Sequence, residues 1–172
     1  MKTLVIIIFM TLFEFCMAGS NRHLNSQNFL VDKIIIKKSV RMLYLSMNGK
    51  IFKGYHISLG RVPEGAKVKE GDMKTPEGIY IIDWRKQSKK YNKSLHISYP
   101  NKKDKERAKK LKVNPGGMIM IHGTPPHWKL SPIGDWLPML TDWTEGCIAL
   151  SNEDIDELWE LVPDGIPVYI VP

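Results

Sequence analysis

Short apolar runs broken by glycine and proline constrain this chain more than any other feature. Lys33–Lys38 holds a run of isoleucines, Val40–Met47 mixes apolar and polar residues, and Met47-Asn48-Gly49-Lys50 leads from it into Ile51–Leu59. An Asn-Gly pair between two such runs is a strong local signal for a tight hairpin, because both residues tolerate the positive φ that the turn needs. Hairpin-linked strands exclude the alternating strand–helix pattern of a parallel α/β sheet. Turn formers fill Gly60–Gly78. Further strands are expected at Ile79–Trp84, Ser94–Tyr99, Met118–Ile121, Cys147–Leu150 and Val168–Val171. Two short helices interrupt them. Lys102–Lys112 is made of strong helix formers. Glu153–Leu161 follows Ser151-Asn152 as cap, its early acidic residues suit the positive helix N-terminus, and Leu158, Trp159 and Val162 give it one apolar face. Thr124–Thr141 is rich in Pro and Trp, has no period, and reads as a loop or lid. The expected fold is a single mostly-β domain with two short helices.

Residues 1–18 read as a secretory signal: a short basic start, an apolar stretch over Thr3–Phe13, and Cys16-Met17-Ala18 before a cut ahead of Gly19-Ser20. The apolar stretch is about half of the roughly 20 residues a membrane-spanning helix needs. Cleavage after Ala18 is the preferred reading over an uncleaved anchor. Lipidation of Cys16 is a weaker one, because small residues do not precede it. Residues 19–32 are a flexible lead-in, and 33–172 form the domain. The expected location is outside the cytoplasm, in the periplasm or cell envelope.

The chain carries a formal charge of +7, unevenly spread. Arg85–Lys112 holds twelve Lys or Arg against Asp104 and Glu106. Such a segment is either a solvated surface or a site for an anionic polymer or membrane. The export signal argues against nucleic acid as partner.

Cleavage would leave one cysteine, Cys147, unpaired in an oxidising compartment where thiols normally pair. His122-Gly123 lies 25 positions before it. A lone Cys with a His elsewhere is a candidate nucleophile and base: the imidazole takes the thiol proton and later returns it to a leaving amine. Gly146 would keep the approach to Cys147 open, and the amides of Gly146 and Cys147 are candidate oxyanion donors. Thr144, three residues before Cys147, could meet substrate or orient the imidazole. A buried, inert Cys147 is the competing reading.

Ile119-Met120-Ile121-His122-Gly123 followed by Thr144-Glu145-Gly146-Cys147-Ile148-Ala149-Leu150-Ser151-Asn152 resembles the L,D-transpeptidase catalytic domain of the YkuD type. Gly71-Asp72, Thr75-Pro76-Glu77-Gly78-Ile79-Tyr80, Ser98-Tyr99-Pro100-Asn101 and Pro115-Gly116-Gly117 agree in order, so the resemblance spans Lys33 to Val171. It implies a sandwich-like mostly-β fold and cysteine acyl transfer on peptidoglycan stem peptides. Cys147 would attack the carbonyl ahead of a terminal D-alanine, and an amine would resolve the thioester into a cross-link. His122 matches the family base, and the Gly123 carbonyl would orient it. Glu145 stands where common members carry a second His, and Ala149 where they carry Arg or Asn. The pattern is similar to a Gram-negative branch with Thr-Asp/Glu-Gly-Cys-Ile-Ala.

Glu145 could favour a cationic acceptor amine, from a second stem peptide or an envelope protein, and Tyr99 and Trp143 are candidate substrate contacts. Water as acceptor would make the same site a carboxypeptidase or a peptidoglycan–protein amidase. His127 with His122 and Cys147 could form part of a zinc set, but a fourth ligand is lacking; no metal or cofactor is expected. Trp128, Trp136 and Trp143 could stack on glycan or simply pack a lid. A non-catalytic wall-binding module, using the basic segment and the tryptophans, is the reading from a different class.

Overall fold

The computed structural model describes residues 31–130, 134 and 138–172. The leader, most of the lead-in and Trp136 lie outside the described residues. The first hairpins form as the sequence predicts. β1 (Lys33–Lys37) pairs antiparallel with β2 (Met42–Met47), and β2 with β3 (Lys50–His56). Asn48 and Gly49 take φ values of 52° and 75° in the turn. Val31 and Asp32, read as lead-in, belong to the domain: Val31 is buried, and Asp32 donates its N–H to the Ser46 carbonyl.

β4 (Gly78–Ser88) and β5 (Asn92–Ile97) form a third hairpin. β4 runs past the expected end at Trp84, so the basic segment begins inside a strand. α1 (Lys102–Leu111) follows, then β6 (Met120–His122), β7 (Ile148–Ala149), α2 (Asn152–Leu161) and β8 (Pro167–Val171). Short 3₁₀ turns at Pro126–Leu130 and Pro138–Leu140 give structure to the stretch read as an irregular loop. Ser151 alone caps α2, accepting the Asp154 N–H; Asn152 is the first helical residue and is buried.

The strand order is β3-β2-β1-β8-β4-β5-β6-β7. The ladder is irregular between Ile82 and Trp84, and beyond β3 the chain bridges from Ser58 to Ala149 and from Gly60 to Thr144. These bridges tie β7 and the residues before it to the chain just beyond β3, at the other end of the strand order, which makes the single sheet enclose its own core. Ile34, Ile36, Leu43, Leu45, Ile82 and Ile121 are fully buried there, and α2 inserts Ile155 and Leu158. Each such side chain contributes about 1.5–3 kcal/mol by leaving water.

Arg85 holds the far end of α2. It donates to the Trp159 and Val162 carbonyls at 2.9 and 2.6 Å and pairs with Asp164. A cation at a helix C-terminus satisfies orphan carbonyls and suits the dipole. Lys93 pairs with Asp156 of the same helix, and Arg107 with Asp104. Part of the basic segment is therefore used inside the fold, while most of the lysines of α1 remain exposed.

Candidate active site

β6 and β7 run parallel, with Ile121 opposite Ile148 and His122 opposite Ala149. Cys147, one residue before Ile148, therefore falls beside Met120, two residues from His122 on the neighbouring strand. The Met120 N–H points at the sulfur with N···Sγ 3.5 Å, and the thiol faces the Met118 carbonyl at 3.7 Å. Cys147 is a free, partly exposed thiol. Burial pushes its pKa up and Glu145 adds to this, against the Met120 N–H and Lys67, so at neutral pH it rests as a thiol.

His122 is 3% exposed. Its Nδ1 lies 2.7 Å from the Gly123 carbonyl. A carbonyl only accepts, so Nδ1 carries the hydrogen and Nε2 keeps a free lone pair. Burial lowers the imidazole to about 4, with Lys90 acting the same way and the Gly123 bond opposing. The ring is neutral at physiological pH, the state a base requires. Trp143 meets it edge-on at 5.7 Å between centroids. Tyr91, which sequence reasoning did not single out, packs on it at 4.4 Å.

The residues around the thiol correct several expectations. Between the Gly60–Thr144 bridge and β7 the chain turns at Glu145 and Gly146 rather than running on as a strand. The Thr144 hydroxyl donates to the Cys147 carbonyl at 2.7 Å and accepts the Gly146 N–H at 3.1 Å. Thr144 thus braces the turn, not the imidazole, and the Gly146 amide is engaged by it. Gly146 is needed for the backbone rather than for an incoming carbonyl: its φ is 124°, and a Cβ there would lie 2.6 Å from the Lys74 carbonyl oxygen. Gly123 is equally tight, since a Cβ would lie 2.4 Å from Asn152 Oδ1. Tyr99 is a core residue, 3% exposed, with its hydroxyl on the Pro115 carbonyl, and does not line the groove. Ala149 is buried, its N–H and C=O both bonded to Ser58.

A groove of about 260 Å³ opens beside Cys147, lined among others by Lys67, Glu70, Met73, Met118 and Glu145. Met73 and Met118 both take positive φ, 55° each, which is uncommon for a side chain of this size. Lys67 was not foreseen as a site residue. It is buried and bonds Asp72 at 2.8 Å and the Lys69 carbonyl at 3.0 Å. Burial alone would raise the Asp72 carboxyl, but Lys67 and the N–H groups of Lys69, Val68 and Lys74 outweigh it and hold it at about 2. Asp72 therefore ties the groove wall together. Among the described residues, no group of three or more His, Cys, Asp or Glu side chains could hold a metal ion, and His127 packs against Trp128 at 6.4 Å between ring centroids.

A bent mostly-β sheet with a thiol and a neutral imidazole on adjacent strands is the architecture of one class of catalytic domain. The chain belongs to the YkuD family of L,D-transpeptidase catalytic domains, whose model matches residues 32–170. It is 30% identical over 104 residues to the candidate L,D-transpeptidase YafK of Escherichia coli K12, covering 59% of this chain and 33% of that protein. Among solved structures it is similar to the helical cell shape determining protein Pgp2 of Campylobacter jejuni, with TM-score 0.59 and 26% identity over 84% of this chain and 51% of that one. Bd1075 of Bdellovibrio bacteriovorus gives TM-score 0.58 and 26% identity, covering 86% and 50%. The Enterococcus faecium L,D-transpeptidase shares the fold at 15% identity and TM-score 0.53, covering 82% of this chain and 50% of that one. The chain thus spans a third to a half of the length of these relatives.

Proposed function

We propose that this domain is an exported cysteine acyltransferase acting on peptidoglycan stem peptides in the cell envelope. The observation that carries the reading is the tautomer of His122: with Nδ1–H held by the Gly123 carbonyl, Nε2 is the lone pair available to the thiol. Nε2 takes the proton from Cys147 as Sγ attacks the carbonyl ahead of the terminal D-alanine. The Cys147 N–H is the donor we assign to the developing oxyanion, since the Gly146 N–H is already bonded. The C–N bond breaks, the imidazolium returns its proton to the D-alanine amine, and a thioester remains on Sγ. An amine that attacks the thioester forms a cross-link and regenerates the thiol. Glu145 at the rim of the groove favours a cationic acceptor, either a second stem peptide or an amine of an envelope protein.

Intact-mass measurement after incubation with purified muropeptides tests this. The expected result is an acyl adduct on the wild type, absent from Cys147→Ala, with cross-linked dimers among the products. Products that gain only water would assign the site to hydrolysis, as a carboxypeptidase or amidase. Full activity in Cys147→Ala would reject the cysteine mechanism.

A further inference from the structure

We propose that Tyr91, at the tip of the β4–β5 hairpin, is a positioning residue that holds the His122 imidazole in register with Cys147. The inference rests on the acyl-transfer reading above. Two contacts from the hairpin converge on one short segment. The Tyr91 ring lies 4.4 Å from the imidazole, centroid to centroid, tilted by 36°. The Tyr91 and Lys93 backbone carbonyls both accept the Gly123 N–H at 3.2 Å. Gly123 is the residue whose own carbonyl takes the His122 Nδ1 hydrogen. The hairpin therefore grips the ring and also the residue whose carbonyl fixes its tautomer.

Trp143 closes another side of the imidazole edge-on, at 5.7 Å and 72°. Tyr91 and Trp143 also approach each other, at 6.3 Å. An imidazole bounded in this way cannot turn about its Cβ–Cγ bond without displacing an aromatic ring, so Nε2 keeps one direction. A fixed direction matters because proton transfer depends on the lone pair being aimed within hydrogen-bond reach. The Tyr91 face has a second effect. When His122 takes the thiol proton it becomes a buried cation, and an aromatic face against it offsets part of its lost hydration. Lys90, whose ammonium sits 4.9 Å from the Tyr91 centroid, is the charged group that acts on the imidazole. The Tyr91 hydroxyl has no part in this, so phenylalanine should serve as well.

The test compares Tyr91→Ala, Tyr91→Leu and Tyr91→Phe in the full chain, with a stem tetrapeptide as substrate. Two quantities are read: the saturating rate of Cys147 acylation by intact mass, and the His122 imidazole nitrogen shifts by NMR. Tyr91→Ala and Tyr91→Leu are expected to lose about ten-fold or more in saturating rate, with KM within about two-fold. Their imidazole signals should show mixed tautomers. Tyr91→Phe should keep the rate and the single Nδ1–H tautomer. The leucine variant keeps apolar volume at the site, so the comparison survives if the alanine variant does not fold. Wild-type rates and an unmixed tautomer in the leucine variant would overturn the proposal. If wild-type protein forms no adduct at all, the acyl-transfer reading fails, while the tautomer measurement still decides whether Tyr91 holds the ring.

Discussion

His122 is buried as a neutral imidazole, and that links its protonation to the stability of the fold. Its pKa is lowered to about 4 by burial, against an ordinary value of 6.5. Between those values the unfolded chain binds the proton and the folded one does not, so stability falls as pH drops from 6.5 towards 4. The loss is roughly 3 kcal/mol below that window. Urea unfolding at neutral and acid pH should show this drop, and His122→Gln should lose less across the same interval. Acylation should also fail as pH drops through about 4, when the imidazole protonates. Gly123 makes a second prediction at this scale. A methyl there would lie 2.4 Å from Asn152 Oδ1 and 2.8 Å from Ile155 Cγ2, and α2 backs both. Gly123→Ala should cost about 1–3 kcal/mol and disturb the His122 carbonyl partner, read as a lower urea midpoint and slower acylation. Cys147 and His122 were legible in the sequence as a candidate pair, because a lone Cys with a His-Gly partner is a chemical pattern. Tyr91 and Lys67 were not: neither belongs to a local motif, and strand register and loop closure alone bring Tyr91 to the imidazole and Lys67 to the groove beside the thiol.

At the scale of elements, the groove wall depends on one carboxylate. Asp72 accepts from Val68, Lys69 and Lys74 N–H groups and from Lys67 Nζ, so it closes the loop that carries Lys67, Glu70 and Met73. Asp72→Ala would leave Lys67 buried without its counter-charge. The expected loss is about 3–5 kcal/mol, together with a marked fall in acylation, measured by thermal unfolding and intact mass. The cap of α2 is a milder case: Ser151→Ala should cost about 1 kcal/mol by freeing the Asp154 N–H, with the site intact. Helix boundaries were readable to within a residue or so because caps are local chemistry. β4 was read too short, since its outer half is polar and basic and is held as strand by pairing with β5 rather than by its own pattern. Thr144 was placed wrongly for a related reason. A turn braced by a hydroxyl and crossed by the Lys74 carbonyl cannot be told from a strand by sequence alternation alone.

For the molecule as a whole, the last strand is central. β8 lies between β1, parallel to it, and β4, antiparallel to it. Deleting 167–172 should therefore abolish cooperative unfolding rather than trim an edge, as circular dichroism melts would show. The Ser58–Ala149 bridge has a comparable role in closing the sheet around the core. The sequence by itself determined the mostly-β class, the two helices and the chemical identities of Cys147 and His122. Those follow from alternation, turn chemistry, caps and the types of side chain present, all of which act over a few residues. Tertiary structure alone decided the strand order, the clamp on the imidazole, the internal use of Arg85 and the buried state of Tyr99. Each depends on which distant segments share a register, and the free energy that selects a register comes from burying the whole core at once.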